Sequence, residues 1–310
     1  MSRSKARREI RKFFIGLVLI IGVFIYNNYL QEPINELLEK LDPNYIENTD
    51  VKTRVMDDLL YVEFLDVGQA DSILIYNNGH YMLIDAGNNE DGPKLVNYFK
   101  SLGITKFDYL VGTHAHEDHI GGMDDIINNF DVGHFYMPDV ITTTTTFEDI
   151  VVALENKQLA FDTPKIDAKF NLGAASLKCM YVGSDEADLN NTSIVLKLTY
   201  GSNKFLFTGD AEGKVEKQIL DKDIESDVLK VGHHGSQYSS TISFLKKVNP
   251  TYAVIQVGEN NVYDHPKKVI LNRFNQFNIK VYRTDLDGTI VAKSDGEKIE
   301  FSTKETDTNG

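Results

Sequence analysis

Four side chains that are good metal ligands lie close together in the segment Thr113-His-Ala-His-Glu-Asp-His-Ile-Gly-Gly122. The residues directly before this segment are apolar enough to predict a buried strand. In an extended segment, residues two apart face the same way, so His114 and His116 can bind one ion together. Asp118 and His119 come where the chain turns into a helix, and they can face a second ion.

Imidazole and carboxylate groups suit a borderline divalent ion such as Zn²⁺, and open coordination positions suit catalysis more than structure. Gly121 and Gly122, which follow the four ligands, let this turn pack tightly. A chance cluster of surface histidines is the alternative. Four ligand-type residues at fixed spacing after a buried strand favour a metal site instead.

The surrounding sequence predicts one α/β domain over residues 59–303, with a disordered tail at 304–310. Short β-rich runs alternate there with amphipathic helical runs, and no repeat or second linker interrupts them. The predicted strands are 62–67, 72–76, 81–84, 109–112, 175–182, 193–198, 204–207, 228–231, 253–257 and 280–283. The predicted helices are 93–102, 146–157, 213–220, 240–248 and 266–277.

The first thirty residues combine a basic segment with an apolar run, which is typical of membrane targeting. The apolar run at 13–26 is short for a membrane span. No A-x-A-like cleavage site follows it, which favours an uncleaved transmembrane anchor over a cleaved signal peptide. Its positive flank places the N-terminus in the cytoplasm. We therefore expect a single-pass protein of the cell membrane, with a stalk at 31–58 and an extracellular domain.

Composition restricts the possible functions further. The net charge of −14 argues against a broad, nonspecific grip on nucleic acid, although a local basic groove stays possible. A single cysteine, Cys179, excludes both an intramolecular disulfide and a cysteine-based zinc knuckle. The 25% of charged residues indicates neither disorder nor a multi-span membrane protein.

The HxHxDH pattern resembles the defining motif of the metallo-β-lactamase superfamily, and the resemblance covers about 59–302. It implies an αβ/βα sandwich. Phe207-Thr-Gly-Asp210 is similar to the family's later Gly-Asp element, which implies that Asp210 bridges two metals. Asp85 matches a strand-end aspartate that positions the metal loop. Leu229-Lys-Val-Gly-His-His-Gly-Ser236 resembles the family's remaining ligand segment, which implies that one of its histidines completes the coordination of the second metal. We prefer His233, with His234 facing substrate, although the sequence does not separate the two.

Three further segments, 64–72, 258–266 and 283–289, resemble the extracellular hydrolase domain of ComEC-type competence proteins. One N-terminal anchor here replaces the many spans of a full competence protein. The family's third histidine on the first metal is absent, because Asn190-Asn191-Thr192 stands in its place. Asn191 is the expected substitute, as a weak oxygen ligand or through water. The predicted cofactors are therefore two divalent ions, either Zn²⁺ or Mn²⁺.

Several other residues are candidates for roles around this centre. Asp66 and Asp71 flank the Val67-Gly-Gln69 turn and can reach the site, with functional and structural roles equally open. His265 and Tyr263 resemble a substrate-side loop. His234 or His265 is the expected proton donor to the leaving group, a role that needs a near-neutral pKa.

The ComEC resemblance implies a phosphodiesterase or nuclease that acts on DNA outside the membrane. A phosphoesterase acting on small or cell-surface phosphoesters such as phosphocholine is the alternative, which the acidic composition favours slightly. The missing third histidine disfavours β-lactamase activity. A non-catalytic surface module is the competing class, but the complete set of ligand residues argues against it. The sequence does not identify a protein partner.

Overall fold

A computed structural model describes residues 58–185 and 187–304 of the chain. The predicted anchor at 1–30, nearly all of the predicted stalk at 31–58 and the tail beyond Lys304 lie outside the described residues. Within the described ranges, no helix has the length and apolar character needed to cross a membrane.

The first sheet contains eight strands in the order β15-β14-β1-β2-β3-β4-β5-β6. Neighbours from β15 to β3 are antiparallel, whereas those from β3 to β6 are parallel. Its strands are Leu60–Phe64 (β1), Ser72–Asn77 (β2), His80–Ala86 (β3), Lys106–Val111 (β4), Asp131–Tyr136 (β5), Phe161–Asp162 (β6), Thr289–Ser294 (β14) and Ile299–Lys304 (β15).

The second sheet contains seven strands in the order β13-β12-β11-β10-β9-β8-β7. Like the first sheet, it is part parallel and part antiparallel. Neighbouring strands from β13 to β10 are parallel, and those from β10 to β7 are antiparallel. Its strands are Lys169–Leu172 (β7), Ala175–Tyr181 (β8), Val195–Tyr200 (β9), Asn203–Phe207 (β10), Val228–Lys230 (β11), Tyr252–Ile255 (β12) and Lys280–Arg283 (β13).

The helices begin and end at residues that suit helix termini. Thr144 and Thr241 each accept a hydrogen bond from a backbone N–H in the first turn of the helix that follows. The left-handed residues Gln158 and Asn249 end the same two helices. The helices are Gly92–Ser101 (α1), Glu117–Ile120 (α2), Met123–Asn129 (α3), Thr145–Lys157 (α4), Gly213–Gln218 (α5), Ile242–Val248 (α6), Lys268–Gln276 (α7) and Thr284–Asp287 (α8).

The two sheets pack face to face, and helices cover both outer faces. Alternate side chains of β1, those of Leu60, Val62 and Phe64, enter the core between the sheets. There the ring centroids of Phe64 and Phe207 lie 6.4 Å apart. Helices α1, α3 and α4 bury apolar side chains against the first sheet, and α5, α6 and α7 against the second. This α/β sandwich confirms the predicted fold class.

Candidate metal centre

The histidine-rich turn joins β4 to α2 and packs closely against the chain that follows β3. A Cβ atom on Gly121 would lie 2.3 Å from backbone atoms of Asn88 and Asn89. On Gly122 it would lie 2.6 Å from the Ala86 carbonyl oxygen. Because no side chain fits at either position, these two glycines allow the tight packing that the sequence predicted.

Asp85, at the end of β3, fixes the orientation of this turn. Its carboxylate accepts hydrogen bonds from the backbone N–H and the hydroxyl of Thr113, both at 2.7 Å. A third hydrogen bond of this carboxylate joins Asp85 Oδ2 to His119 Nδ1 at 2.8 Å. Because Nδ1 is engaged in this way, His119 directs Nε2 into the centre. The structure thus places Asp85 where the resemblance implied.

Four side chains from three strand ends form the acid–histidine cluster, which consists of Asp118, His119, Asp210 and His234. One ligand atom from each lies within 4.8 Å of the others. His119 Nε2 is 3.3 Å from Asp210 Oδ1, and His234 Nε2 is 3.2 Å from Asp118 Oδ2. Asp210 follows β10 and His234 follows β11. The ends of β4, β10 and β11 therefore converge at one point.

The two consecutive histidines after β11 have different environments. His234 is 2% exposed, and its Nδ1 donates to the Gln256 carbonyl oxygen at 2.9 Å, which turns Nε2 toward the cluster. The His233 side chain is 22% exposed, and its Nδ1 lies 3.2 Å from Glu212 Oε1. The sequence favoured His233 as the ligand; the structure places His234 in the cluster, while His233 lines the cavity with its Nε2 3.7 Å from Asp210 Oδ2.

His114 and His116 lie beside the cluster. His114 is fully buried, its Nε2 is 2.9 Å from His116 Nδ1, and its ring centroid is 4.1 Å from that of His119. The two histidines therefore stand together, as their spacing predicted. Their adjacent rings form one side of a second candidate ion site.

The asparagine pair near this second site is oriented differently from the sequence prediction. Asn191 Oδ1 accepts the Glu212 backbone N–H at 3.0 Å, and its amide nitrogen donates to the Asp188 carboxylate. Asn190 Oδ1 instead is buried without a hydrogen-bond partner among the described residues. Asn190 also lines the same cavity as His116. The structure thus brings Asn190, rather than Asn191, to the centre.

Two buried ligand atoms of the cluster fit a divalent cation. His119 Nε2 and Asp210 Oδ1 lie 3.3 Å apart, and among the described residues neither makes a hydrogen bond of good geometry. Buried polar atoms in native structures are normally fully satisfied, and a cation between these two would satisfy both. Nitrogen and carboxylate oxygen donors are ligands for both Zn²⁺ and Mn²⁺. The residues present therefore fit a divalent metal, as the fold family implies.

In metal-free protein, protonated histidines balance the negative charges of the carboxylates in the cluster. Burial opposes protonation of His234, but Asp210, Asp71 and Asp118 outweigh it and raise its pKa to about 10. The pKa of His119 is likewise well above its usual value, against the effect of burial, because of Asp210 and Asp85. A cation that binds here must displace these protons.

His265 behaves in the opposite way. Burial, together with the neighbouring His233, lowers its pKa to about 4. Its ring centroid lies 5.8 Å from that of His233. His265 is therefore uncharged at neutral pH, which argues against the proton-donor role that the sequence suggested for it.

A buried ion pair lies beneath the cluster. The ammonium of Lys230, the last residue of β11, pairs with the Asp71 carboxylate and donates to the Val231 carbonyl oxygen at 2.9 Å. Asp71 Oδ1 in turn lies 3.4 Å from His234 Nδ1. Sequence reasoning left the role of Asp71 open and missed Lys230. The available signal was one lysine in the apolar stretch 228–231.

Asp66 has a different position from Asp71. Its carboxylate accepts the Gly68 backbone N–H at 3.2 Å, and its own backbone N–H donates to the Thr289 hydroxyl at 3.0 Å. Asp66 belongs to neither of the two acid–histidine groups found among the described residues. The structure therefore brings Asp71, and not Asp66, to the centre.

Metal-free protein is expected to lose stability as the pH rises from about 7 to about 10. His234 has a pKa of about 10 in the fold against 6.5 for an ordinary histidine. Because the folded pKa is raised, its contribution is fully present below the unfolded value and is lost as the pH rises through the folded one. With EDTA present, the thermal midpoint should fall by about 5 °C or more.

The metal-loaded protein is the control for that measurement. Protons compete with the cation for the same nitrogen atoms, so metal binding strengthens as the pH rises. Its midpoint should therefore fall less than that of the metal-free protein over the same range. If the thermal midpoint falls equally with pH in the presence and absence of metal, the histidines of the cluster are not the groups that titrate.

The two-sheet sandwich, with histidine and aspartate side chains at its strand ends, defines a class of metal-dependent hydrolases and related enzymes. A family model described as the metallo-beta-lactamase superfamily matches residues 65–259. The chain therefore belongs to that superfamily. The metallo-beta-lactamase fold protein YhfI from Bacillus subtilis has a similar fold, with a TM-score of 0.53 at 13% identity, covering 77% of this chain and 100% of YhfI.

Curated relatives lie among the competence proteins. ComE operon protein 3 of Bacillus subtilis is 30% identical over 251 residues, which are 74% of this chain and 32% of that protein. Competence protein ComA of Neisseria gonorrhoeae is 31% identical over 229 residues, covering 73% of this chain and 31% of that protein. The chain thus spans about a third of the length of these relatives. The predicted resemblance to ComEC-type competence proteins is confirmed.

Proposed function

We propose that the chain is a membrane-anchored, extracellular, metal-dependent phosphodiesterase that cleaves DNA. The observation that carries the proposal is the cluster of Asp118, His119, Asp210 and His234, of which Asp118, Asp210 and His234 line a cavity of about 290 Å³. Similarity to relatives named for competence and recombination supports DNA as the substrate. The basic and apolar pattern of residues 1–30 supports the anchor.

Two divalent ions are the proposed cofactors. Asp118, His119, Asp210 and His234 would hold one ion, and Asp210 would also face the ion bound by His114, His116 and Asn190. Such ions supply Lewis acidity and lower the pKa of the water that they bind. In this proposal His234 replaces His233 as the ligand, because its Nδ1–H bond to Gln256 fixes Nε2 toward the cluster.

Hydrolysis adds water across one phosphorus–oxygen bond, so that the water oxygen joins phosphorus and the leaving oxygen takes a proton. We assign the proton donation to His233, which lines the cavity and is positioned by Glu212 at 3.2 Å. His265, uncharged at neutral pH, shapes the cavity wall beside it. Asp85 and Asp71 hold the buried histidines in place from behind.

Metal content and a substrate comparison test this proposal. The full-length chain, purified in mild detergent, should bind about two Zn²⁺ or Mn²⁺ ions per molecule by elemental analysis. It should then cleave linear DNA and bis-p-nitrophenyl phosphate, and EDTA should abolish both activities. A chain that binds neither ion and cleaves neither substrate would instead be a non-catalytic surface module.

One observation favours a second candidate, a phosphoesterase acting on small or cell-surface phosphoesters such as phosphocholine. Among the described residues that line the metal cavity and the adjoining cavity of about 520 Å³, there is no lysine or arginine. Glu90 and Glu117 also make the adjoining cavity acidic. A long polyanion would gain little from such walls. Cleavage of p-nitrophenyl phosphocholine with intact DNA would establish this candidate in place of the nuclease.

A further inference from the structure

A half-exposed tyrosine stands at the mouth of the metal cavity, on the loop between β12 and α7. Tyr263 is 59% exposed, yet it lines the same cavity as Asp210 and His234. Its ring lies nearly parallel to that of His265, with the centroids 5.8 Å apart and an angle of 26° between the planes. His265 meets His233 edge-on at 5.8 Å. Three rings thus lead from the cluster to solvent.

Hydrogen bonds within the loop hold Tyr263 in this position. The Asn261 amide nitrogen donates to the Gly258 and His265 carbonyl oxygens at 3.0 and 2.7 Å, and its Oδ1 accepts the His265 N–H at 3.0 Å. The Lys267 ammonium donates to the Tyr263 carbonyl oxygen at 2.7 Å. A loop constrained in this way loses little conformational entropy when a ligand binds.

The charge of the surroundings decides which ligand group suits this ring. Glu117 and Asp118 line the adjoining cavity together with Tyr263. Negative walls repel further phosphates, but they do not penalise an uncharged planar ring. Stacking on an aromatic side chain is tolerant of base identity and is worth about tenfold or more in affinity per base. A nucleoside next to the scissile phosphate can therefore bind here without any basic side chain.

We infer that Tyr263 is a specificity-determining residue that stacks on a planar base attached to the phosphodiester, so that the site prefers nucleoside esters to alkyl esters. This inference rests on the proposed phosphodiesterase activity. It assigns Tyr263 a binding role that the metal ligands do not supply. Because the stack is present both before and during the reaction, it lowers KM and leaves kcat unchanged.

Two chromogenic esters that differ only in the group that does not leave provide the test. Thymidine 5′-(p-nitrophenyl phosphate) and methyl p-nitrophenyl phosphate release the same phenol, so any stacking of that ring cancels in their ratio. The full-length, metal-loaded chain should show a kcat/KM about tenfold higher for the thymidine ester. Tyr263→Ala should remove this preference by raising KM for the thymidine ester alone.

Two variants separate stacking from a structural role. Tyr263→Phe keeps the ring and should keep the preference within about twofold. Tyr238→Ala removes another exposed tyrosine, 61% exposed, and should leave both esters unaffected. Equal loss for both esters in Tyr263→Ala, or an unchanged preference, would overturn the inference while the phosphodiesterase stands. Failure of the unaltered protein to hydrolyse either ester would overturn both.

Discussion

Replacing Asp210 with alanine is expected to lower kcat/KM for a phosphodiester by more than about 1000-fold while the fold is retained. Asp210 is 2% exposed, and its two carboxylate oxygens approach His119 at 3.3 Å and His234 at 3.7 Å. Asp118 also approaches both histidines, at 3.9 and 3.2 Å, but in the proposal Asp210 is the carboxylate that faces both ions. Its loss should therefore remove metal as well as activity, and elemental analysis should find less than about one ion per chain.

The fold should survive this change for an electrostatic reason. In metal-free protein Asp210 raises the pKa values of His119 and His234. Without Asp210, these imidazoles can release their protons rather than stay charged and unpaired. Circular dichroism should therefore match the unaltered protein. Asp264→Asn is the control, because that side chain is 96% exposed and asparagine tolerates its left-handed φ of 54°. Full activity and metal content in Asp210→Ala would refute the bridging assignment.

The sequence predicted the centre best where spacing and backbone geometry agree. His114 and His116 come together as their spacing predicted, although the chain bends at 114–115 instead of continuing extended, and Asp118 and His119 enter α2, as expected. The main strands and helices also lie near their predicted positions, because their apolar periodicity matches the faces that they bury. In these regions, residue spacing and apolar periodicity are sufficient to predict the structure.

In irregular turns, the sequence could not predict which of two adjacent residues faces the metal centre. His233 and His234 both have a φ of 51°, so the alternation of side chains along a strand does not apply to them. Asn190 and Asn191 lie in a short 3₁₀ helix, Leu189–Thr192, where successive side chains point about 120° apart. Adjacent candidates therefore face entirely different groups. Only the tertiary structure identifies which one reaches the cavity.

The missed strands share a weak sequence pattern. In β5, Asp131–Tyr136, three of six residues are exposed, and the strand contains Gly133. The strand β14 pairs with β1 across more than 220 positions, and β15 then pairs with β14 at the edge of the sheet. Such long-range pairing depends on the tertiary fold rather than on the local sequence. The last strand that the sequence predicted is accordingly β13.

Replacing Lys230 with methionine is expected to reduce the free energy of unfolding by about 3 kcal/mol or more. The Lys230 side chain is 0% exposed, and its partner Asp71 is 1% exposed. Methionine preserves most of the apolar stem but leaves the Asp71 carboxylate buried without its ammonium partner. Urea unfolding at neutral pH, with EDTA present so that metal binding does not contribute, measures the loss.

Lys197 on β9 of the same sheet offers a matched control. Its side chain is 6% exposed, but the carboxylate that it pairs with, Asp223, is 79% exposed. When Lys197→Met removes that ammonium, Asp223 can be solvated by water, so the loss should stay within about 1 kcal/mol. Equal losses at the two positions would mean that the buried pair has no special role. A larger loss at Lys230 would mean that the buried Asp71 carboxylate, which lies 3.4 Å from His234 Nδ1, depends on this ammonium when no metal is bound.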